Sequence, residues 1–336
     1  MNIGKVIKNR RLELDYTQDE LVNYAEVSKP TIVKIENSVD LIGLNENKLN
    51  KVLVALGLTK EDLKQEEVID LDNFVLNETN YHSTVARKLY CGASQFKAFM
   101  KCESEALAEI NGDIAPLETK SLLEGSYMDA IFEGKDAFRR FRESHPEIYT
   151  ARGELKSEFK KADLAYDRVS QDETFMEFMD GDKQVILTGE IAGVKYKVKL
   201  DVLNMEKPRI VDLKYVKDFN LIWDDEDKVK KHFIEYWGYV IQGAIYREIV
   251  RQVFGIKMPF YIAAITKEDN TNYDIFEIAE KDLEEALEYV KEKSPHIQAL
   301  KDGKEQPRQC GNCRYCRSVK KLKGATVYTK YVEELI

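Results

Sequence analysis

The sequence predicts an α/β domain, a mixed central sheet with helices on both sides, preceded by a small all-α domain. Three observations predict it. Five apolar runs near residues 184–191, 196–203, 209–213, 259–266 and 273–276 read as strands. Segments near 94–109, 122–132, 156–170, 236–253 and 280–293 read as helices around them. The first 62 or so residues carry helical patterns alone. The expected organisation is a helical domain over 1–64, a linker over 65–80, the α/β domain over 81–325 and a tail over 326–336.

Two of the predicted strands carry the chemistry. One reads Lys199-Leu200-Asp201-Val202-Leu203 and the next Ile210-Val211-Asp212-Leu213-Lys214. Residues i and i+2 of a strand share a face, so Asp212 and Lys214 point one way and Val211 and Leu213 the other. If the strands are hairpin neighbours, Asp201 sits beside Asp212. Two adjacent carboxylates hold a hard divalent cation such as Mg²⁺ or Mn²⁺. A lysine beside them steadies charge that develops at a phosphate. This is equipment for metal-assisted cleavage of a phosphodiester. On the motif alone, a solvated strand face remains the plainer reading.

These residues resemble the core of the PD-(D/E)xK nuclease superfamily, with Asp201 as its first acidic position and Asp212-Leu213-Lys214 as its D-x-K. The run Tyr236-Trp237-Gly238-Tyr239-Val240-Ile241-Gln242-Gly243-Ala244-Ile245-Tyr246 puts Gln242 and Tyr246 four apart on one helix face. It resembles the Q-x-x-x-Y helix of RecB-type nucleases. Upstream, Gly125 is followed four residues later by Asp129, similar to the family's first motif, where many relatives carry His. The resemblance implies a restriction-endonuclease-like nuclease domain. Asp201, Asp212, Lys214, Gln242 and Tyr246 become its catalytic residues. Asp201 and Asp212, with Asp129 or Glu190, become the Mg²⁺ ligands.

Composition sets limits. The 336 residues carry a formal net charge of −9, with a pI near 5.3. That argues against a passive nucleic-acid coat, which relies on a basic surface. It does not exclude a DNA enzyme, because a metal site needs carboxylates and basic contacts can be local. One local basic run, from Arg314 and Arg317 through Lys320, Lys321 and Lys323, is a candidate for backbone phosphates. No apolar stretch approaches the roughly 18 residues that span a bilayer, and the amino terminus lacks a signal-peptide core. The expectation is a cytoplasmic protein without a membrane partner.

In the amino-terminal domain, Thr17 and Glu20 form the pattern of a capping box that opens a second helix, and Ser28-Lys29-Pro30 opens a third. Thr17-Gln18 with Leu21, Val27-Ser28, Thr31-Ile32 and Ile35-Glu36 resemble a Cro/repressor-type helix-turn-helix. By that resemblance Gln18, Lys29, Thr31 and Lys34 face DNA. Glu26 stands at the turn where that family usually has glycine. The alternative is a helical protein-interaction module without groove contacts. Residues 63–80 read as a polar, acidic linker with one short strand.

Cys310, Cys313 and Cys316 lie at two-residue spacers. Three close thiols point to a metal in a reducing compartment. The layout resembles nucleases of the same superfamily that tie an early cysteine to three late ones around a [4Fe–4S] cluster. That resemblance implies Cys102 as fourth ligand. Structural Zn²⁺ with the same ligands is the alternative, and so is Cys91 in place of Cys102.

From residue 89 to about 323 the chain looks like the phage-borne exodeoxyribonuclease VIII-like PDDEXK family. That likeness implies a 5′→3′ double-strand DNA exonuclease of recombination type, partnered by a single-strand annealing protein. Some relatives form rings around DNA, so a homo-oligomer is a further expectation. Two rival readings remain. One is a helix-turn-helix regulator whose nuclease fold is only a scaffold. The other is a defence or anti-defence nuclease directed by the first domain.

Overall fold

The structure, a computed structural model, describes residues 3–36, 38, 44–60, 74–117, 119–225, 227–322 and 324–325. It divides into two compact units, Met1–Val75 and Leu76–Ile336. Most of the expected linker, the whole expected tail, and Lys323 fall outside the described residues. Residues 74–80 are described and contain turns but no strand.

The first unit has helices α1 (Ile3–Glu13), α2 (Gln18–Ala25), α3 (Lys29–Glu36) and α4 (Glu46–Ala55). They pack around Ile7, Leu21, Ile32, Ile35 and Val52, all buried. The capping box forms: Glu20 N–H donates to Thr17 Oγ1 at 3.2 Å, and Thr17 N–H donates to Glu20 Oε2 at 2.7 Å. Buried Arg11 and Glu36 join α1 to α3, with Arg11 Nε donating to Glu36 Oε1 at 2.6 Å. The α2–α3 turn needs a left-handed residue, and Glu26 takes it at φ 50° and ψ 45°. A side chain there is strained where glycine would not be.

The second unit is built on strands β1 (Asp182–Ile191), β2 (Val194–Asn204), β3 (Arg209–Val216), β4 (Ile222–Asp224), β5 (Val229–Lys231), β6 (Phe260–Thr266) and β7 (Tyr273–Glu277). Five form one sheet in the order β1-β2-β3-β6-β7, and β4-β5 is a separate hairpin. β3 and β6 run parallel, and the other neighbours of the main sheet are antiparallel. The helices are α5 (Thr84–Leu89), α6 (Ala93–Lys101), α7 (Glu103–Asn111), α8 (Lys120–Glu133), α9 (Lys135–Ser144), α10 (Ser157–Val169), α11 (Glu173–Phe178), α12 (Phe233–Tyr236), α13 (Tyr239–Phe254), α14 (Glu280–Lys301) and α15 (Arg314–Ser318).

The sheet separates two cores, as the expected three-layer arrangement requires. On one side Phe96, Phe99, Ile245, Ile249, Val290 and Ile297 from α6, α13 and α14 pack with Val198, Leu200 and Ile262. On the other, Tyr127, Phe159 and Phe175 from α8, α10 and α11 pack with Val202, Val211 and Leu213. Among the described residues no helix is long and apolar enough to cross a membrane.

Two expected helices are interrupted. The segment 94–109 is not one helix, because Cys102 breaks it with extended backbone at φ −160° and ψ 109°. The break separates α6, beside the sheet, from α7, which carries the cysteine site. The segment 236–253 is also interrupted, at Gly238, whose left-handed φ of 64° ends α12 and starts α13.

Candidate active site

The pairing of β2 with β3 puts Val202 opposite Val211, so Asp201 and Asp212 lie one step beyond that pair. Ladder pairing stops there, and the Asp201 carboxylate takes its place. Asp201 Oδ2 accepts the backbone N–H of Leu213 at 2.9 Å. Its other oxygen accepts from Gln184 Nε2 at 3.2 Å. Gln184 faces Asp201 across the β1–β2 hairpin, between the pairs Lys183–Val202 and Val185–Leu200. It has φ 53°, a strained value for a side-chain-bearing residue, of the sort that collects at functional sites.

Asp212 and Lys214 share the face of β3 opposite to Val211 and Leu213, as the two-residue period demands. The Lys214 ammonium pairs with Asp212 Oδ2. Helix α13 lies over this face. Gly243 permits its approach, because a Cβ there would collide with the Phe260 ring of β6. The neighbouring Gln242 then reaches Asp212: Nε2 donates to Oδ1 at 2.7 Å and also lies 3.1 Å from Tyr246 Oη. Asp212 is 2% exposed, and its Oδ2 receives no well-directed hydrogen bond although Lys214 is adjacent.

Asp129, on α8, lines a small cavity with Asp201, Gln184 and Leu213, and also lines the large cleft. Burial pushes its carboxyl well above the usual range, and the Asp201 charge adds to this. Burial and the nearby Asp212 charge raise Asp201 to about 6. Burial works against a charged Lys214, but Asp212 and Asp201 outweigh it and hold its pKa above the ordinary lysine value. The cleft has a volume of about 1290 Å³ and is open to solvent.

The carboxylates of Asp212, Asp201 and Asp129 are hard oxygen donors of the kind a divalent cation such as Mg²⁺ takes, and Asp129 and Asp201 line one small cavity. Their spacing is looser than that of the cysteines, which are the one group of three or more such ligands drawn within 4.8 Å among the described residues.

Glu190 requires correction. It sits six residues along β1 from Gln184, about 20 Å at strand spacing, and is exposed opposite Lys195. The hairpin register carries it away from Asp201. The residue of β1 that meets Asp201 is Gln184, which the strand pattern alone left unmarked. Lys97 was also missed. It lies on α6, with Nζ 3.4 Å from Gln242 Oε1, and nothing local distinguishes it from a surface lysine.

The four expected cysteines do converge. Cys102 Sγ is 3.6 Å from Cys316 Sγ and 3.7 Å from Cys313 Sγ, and Cys310 Sγ is 4.0 Å from Cys316 Sγ. Cys91 lies elsewhere, bridged to Tyr196 of β2, so it does not replace Cys102. Cys310 accepts the Cys313 N–H at 3.3 Å, and Cys313 accepts the Cys316 N–H at 3.3 Å. Backbone N–H groups of Asn312 and Cys313 lower the Cys310 thiol to about 6, whereas burial lifts Cys313 to about 12.

Arg314 is exposed and ion-paired within the chain. It donates to Glu105 at 3.1 Å and Glu109 at 2.7 Å, tying α15 to α7. Arg317 is exposed. In the first unit, Gln18 donates its amide to Glu36 Oε2 at 2.7 Å. Lys29 is exposed and pairs with Asp19, Thr31 is half-buried, and Lys34 is exposed on α3.

Residues 92–319 match a family model described as a PDDEXK-like domain of unknown function (DUF3799). The crystal structure of a candidate exonuclease from Eubacterium rectale is similar at 38% identity and a TM-score of 0.73. The match covers 77% of this chain and 98% of that one. The crystal structure of SSO0001 matches at 13% identity and a TM-score of 0.25, over 69% of this chain and 96% of that one. No curated protein matches the chain.

Proposed function

This chain belongs to the PDDEXK-like family whose model spans residues 92–319, and on that premise we propose that it is a metal-dependent DNA nuclease. The observation that carries the reading is buried Asp212, held by Gln242 on one oxygen and paired with Lys214 on the other, with Asp201 on the neighbouring strand. Asp201, Asp212 and Asp129 would hold Mg²⁺ or Mn²⁺. A bound ion would supply Lewis acidity at the phosphate and lower the pKa of a water. Hydrolysis would form one P–O bond to a water oxygen as the bond to the leaving sugar oxygen breaks. Lys214 sits where it can balance the charge that develops on the phosphate oxygens. Gln242 fixes the Asp212 carboxylate, with Tyr246 steadying the amide.

The finer reading is a 5′→3′ double-strand exonuclease of phage or mobile-element recombination, acting in the cytoplasm beside a single-strand annealing protein, as a homo-oligomer. The 38% identity to a candidate exonuclease supports the exonuclease part. Degradation of linear, nicked and closed-circular duplex with Mg²⁺ or Mn²⁺ tests it, with Asp212→Ala and Lys214→Ala alongside. Loss of linear DNA alone, abolished in both variants, is the expected result. Cutting of circles would make it an endonuclease. No metal-dependent cleavage of any form would overturn the enzyme reading.

The helical domain over residues 1–64 is proposed as a helix-turn-helix DNA-binding domain that uses Gln18, Lys29, Thr31 and Lys34. The left-handed turn between α2 and α3 supports it. If Asp212→Ala leaves function intact while changes at Lys29 and Thr31 abolish operator binding, the chain is a regulator instead.

The four cysteines would hold a structural metal. Three of the sulfur pairs are 3.6–4.0 Å apart, and all four sulfurs lie within 4.8 Å of one another. The proposed group is a [4Fe–4S] cluster, with structural Zn²⁺ on the same four ligands as the alternative.

A further inference from the structure

Lys97 is a half-buried cation with neutral partners. Its ammonium donates to Trp237 O at 3.1 Å and Gln242 Oε1 at 3.4 Å. It also lies 5.2 Å from the centroid of the Tyr239 ring, which has the Lys214 ammonium 5.0 Å from the same centroid. Among the described residues no carboxylate pairs with it, and it lines the cleft with Lys214 and Asp129. A lysine ammonium has three donors, so two protein acceptors leave one for the cleft.

The position is built rather than incidental. Gly238 lies against the Lys97 stem, where a Cβ would come within 3.0 Å of Lys97 Cδ. A half-buried cation that stands near a second lysine, with no carboxylate in hydrogen-bond reach, is costly to bury. Burial first, and then the Lys214 charge, lower its pKa to about 8 against a smaller upward pull from Asp212. A neutral side chain would orient Gln242 without that cost. An anion in the cleft would relieve it.

We propose that Lys97 is a substrate-binding residue whose free N–H contacts a phosphate oxygen of the nucleic-acid strand in the cleft, across Tyr239 from Lys214. The proposal rests on the nuclease reading above. The phosphate restores the missing counter-charge, and Gln242 Oε1 and Trp237 O hold the ammonium in place to receive it. Because Lys97 also touches the oxygen of the amide that holds Asp212, phosphate binding and carboxylate orientation meet in one side chain.

The test measures binding of a duplex oligonucleotide by the full chain without Mg²⁺, across a range of salt, for wild type, Lys97→Ala and Lys97→Arg. A phosphate contact predicts about ten-fold weaker binding for Lys97→Ala at fixed salt. It also predicts a salt slope smaller by about 0.9, with the slope restored by Lys97→Arg. All three are compared in a Lys29→Ala, Lys34→Ala background, so that the first unit does not carry the binding. An unchanged salt slope in Lys97→Ala overturns the proposal, even if turnover falls, because it leaves Lys97 only a part in orienting Gln242. Cleavage of the same duplex by wild type with Mg²⁺ reads the parent hypothesis separately. If wild type cleaves and the slope does not move, this inference alone fails; if wild type neither binds nor cleaves, both fail.

Discussion

Gln242 donates its amide to Asp212 at 2.7 Å, across 30 residues of sequence and from a helix to a strand. It is the one well-directed side-chain hydrogen bond that the buried Asp212 carboxylate receives among the described residues. Groups that hold a metal-ligating carboxylate contribute about 10- to 100-fold to metal affinity or activity. Gln242→Ala is therefore expected to lower metal-dependent cleavage by about that factor. Tyr246→Phe, which keeps Gln242 itself, should cost less. Equal activity in wild type and Gln242→Ala, measured at limiting Mg²⁺, would remove Gln242 from the site.

Protonation of the carboxylates gives a pH dependence with a definite sign. Burial and Asp212 raise Asp201 to about 6, and burial and Asp201 raise Asp129 in the same direction. The metal-free native state then holds protons that the unfolded chain has already released above the usual carboxylate range. These two carboxyls contribute stability to the metal-free protein that is lost as pH rises from about 4 through about 6. Mg²⁺ binds the ionised carboxylates, so its stabilising effect should grow over the same window. Thermal melting with and without Mg²⁺, at about pH 5 and about pH 8, checks this. A shift of the same size at both would refute it.

The cysteine site predicts its own metal content. Purified protein should be brown and carry iron and inorganic sulfide. A colourless protein with about one zinc per chain would instead assign structural Zn²⁺. Cys310 is ionised near neutral pH, while Cys313 must lose its proton as the metal binds. Metal affinity should therefore fall as pH is lowered. Removing the metal with a chelator should lower the melting temperature, because Cys102 and the late cysteines join segments more than 200 residues apart.

Glu26 offers a stability test of the first unit. Its left-handed conformation suits glycine, and its ion pair with Lys51, at 3.3 Å, is exposed and contributes little. Glu26→Gly should stabilise that unit by about 0.5–1 kcal/mol, after allowance for the extra freedom of glycine in the unfolded chain. Chemical denaturation of the full chain, followed by a probe in the first unit, measures it. Destabilisation would show that the turn is not strained.

The sequence by itself determined the local periods and the residue types. Strand alternation put Asp212 and Lys214 on one face and Val211 on the other, and helical spacing joined Gln242 to Tyr246. The capping box at Thr17 was legible because its partners lie three residues apart. The cysteine spacing likewise marked Cys310, Cys313 and Cys316. Long-range register was decided only by the tertiary structure. The β1–β2 pairing sent Glu190 away from the site and brought Gln184 to Asp201. The packing of α6 beside α13 turned an ordinary lysine into a neighbour of Gln242, and that of α15 on α7 gave Arg314 to two glutamates. Local spacing follows from backbone geometry, which each short segment carries within itself. Which distant segments meet depends on how whole faces bury against one another, and no single segment carries that information.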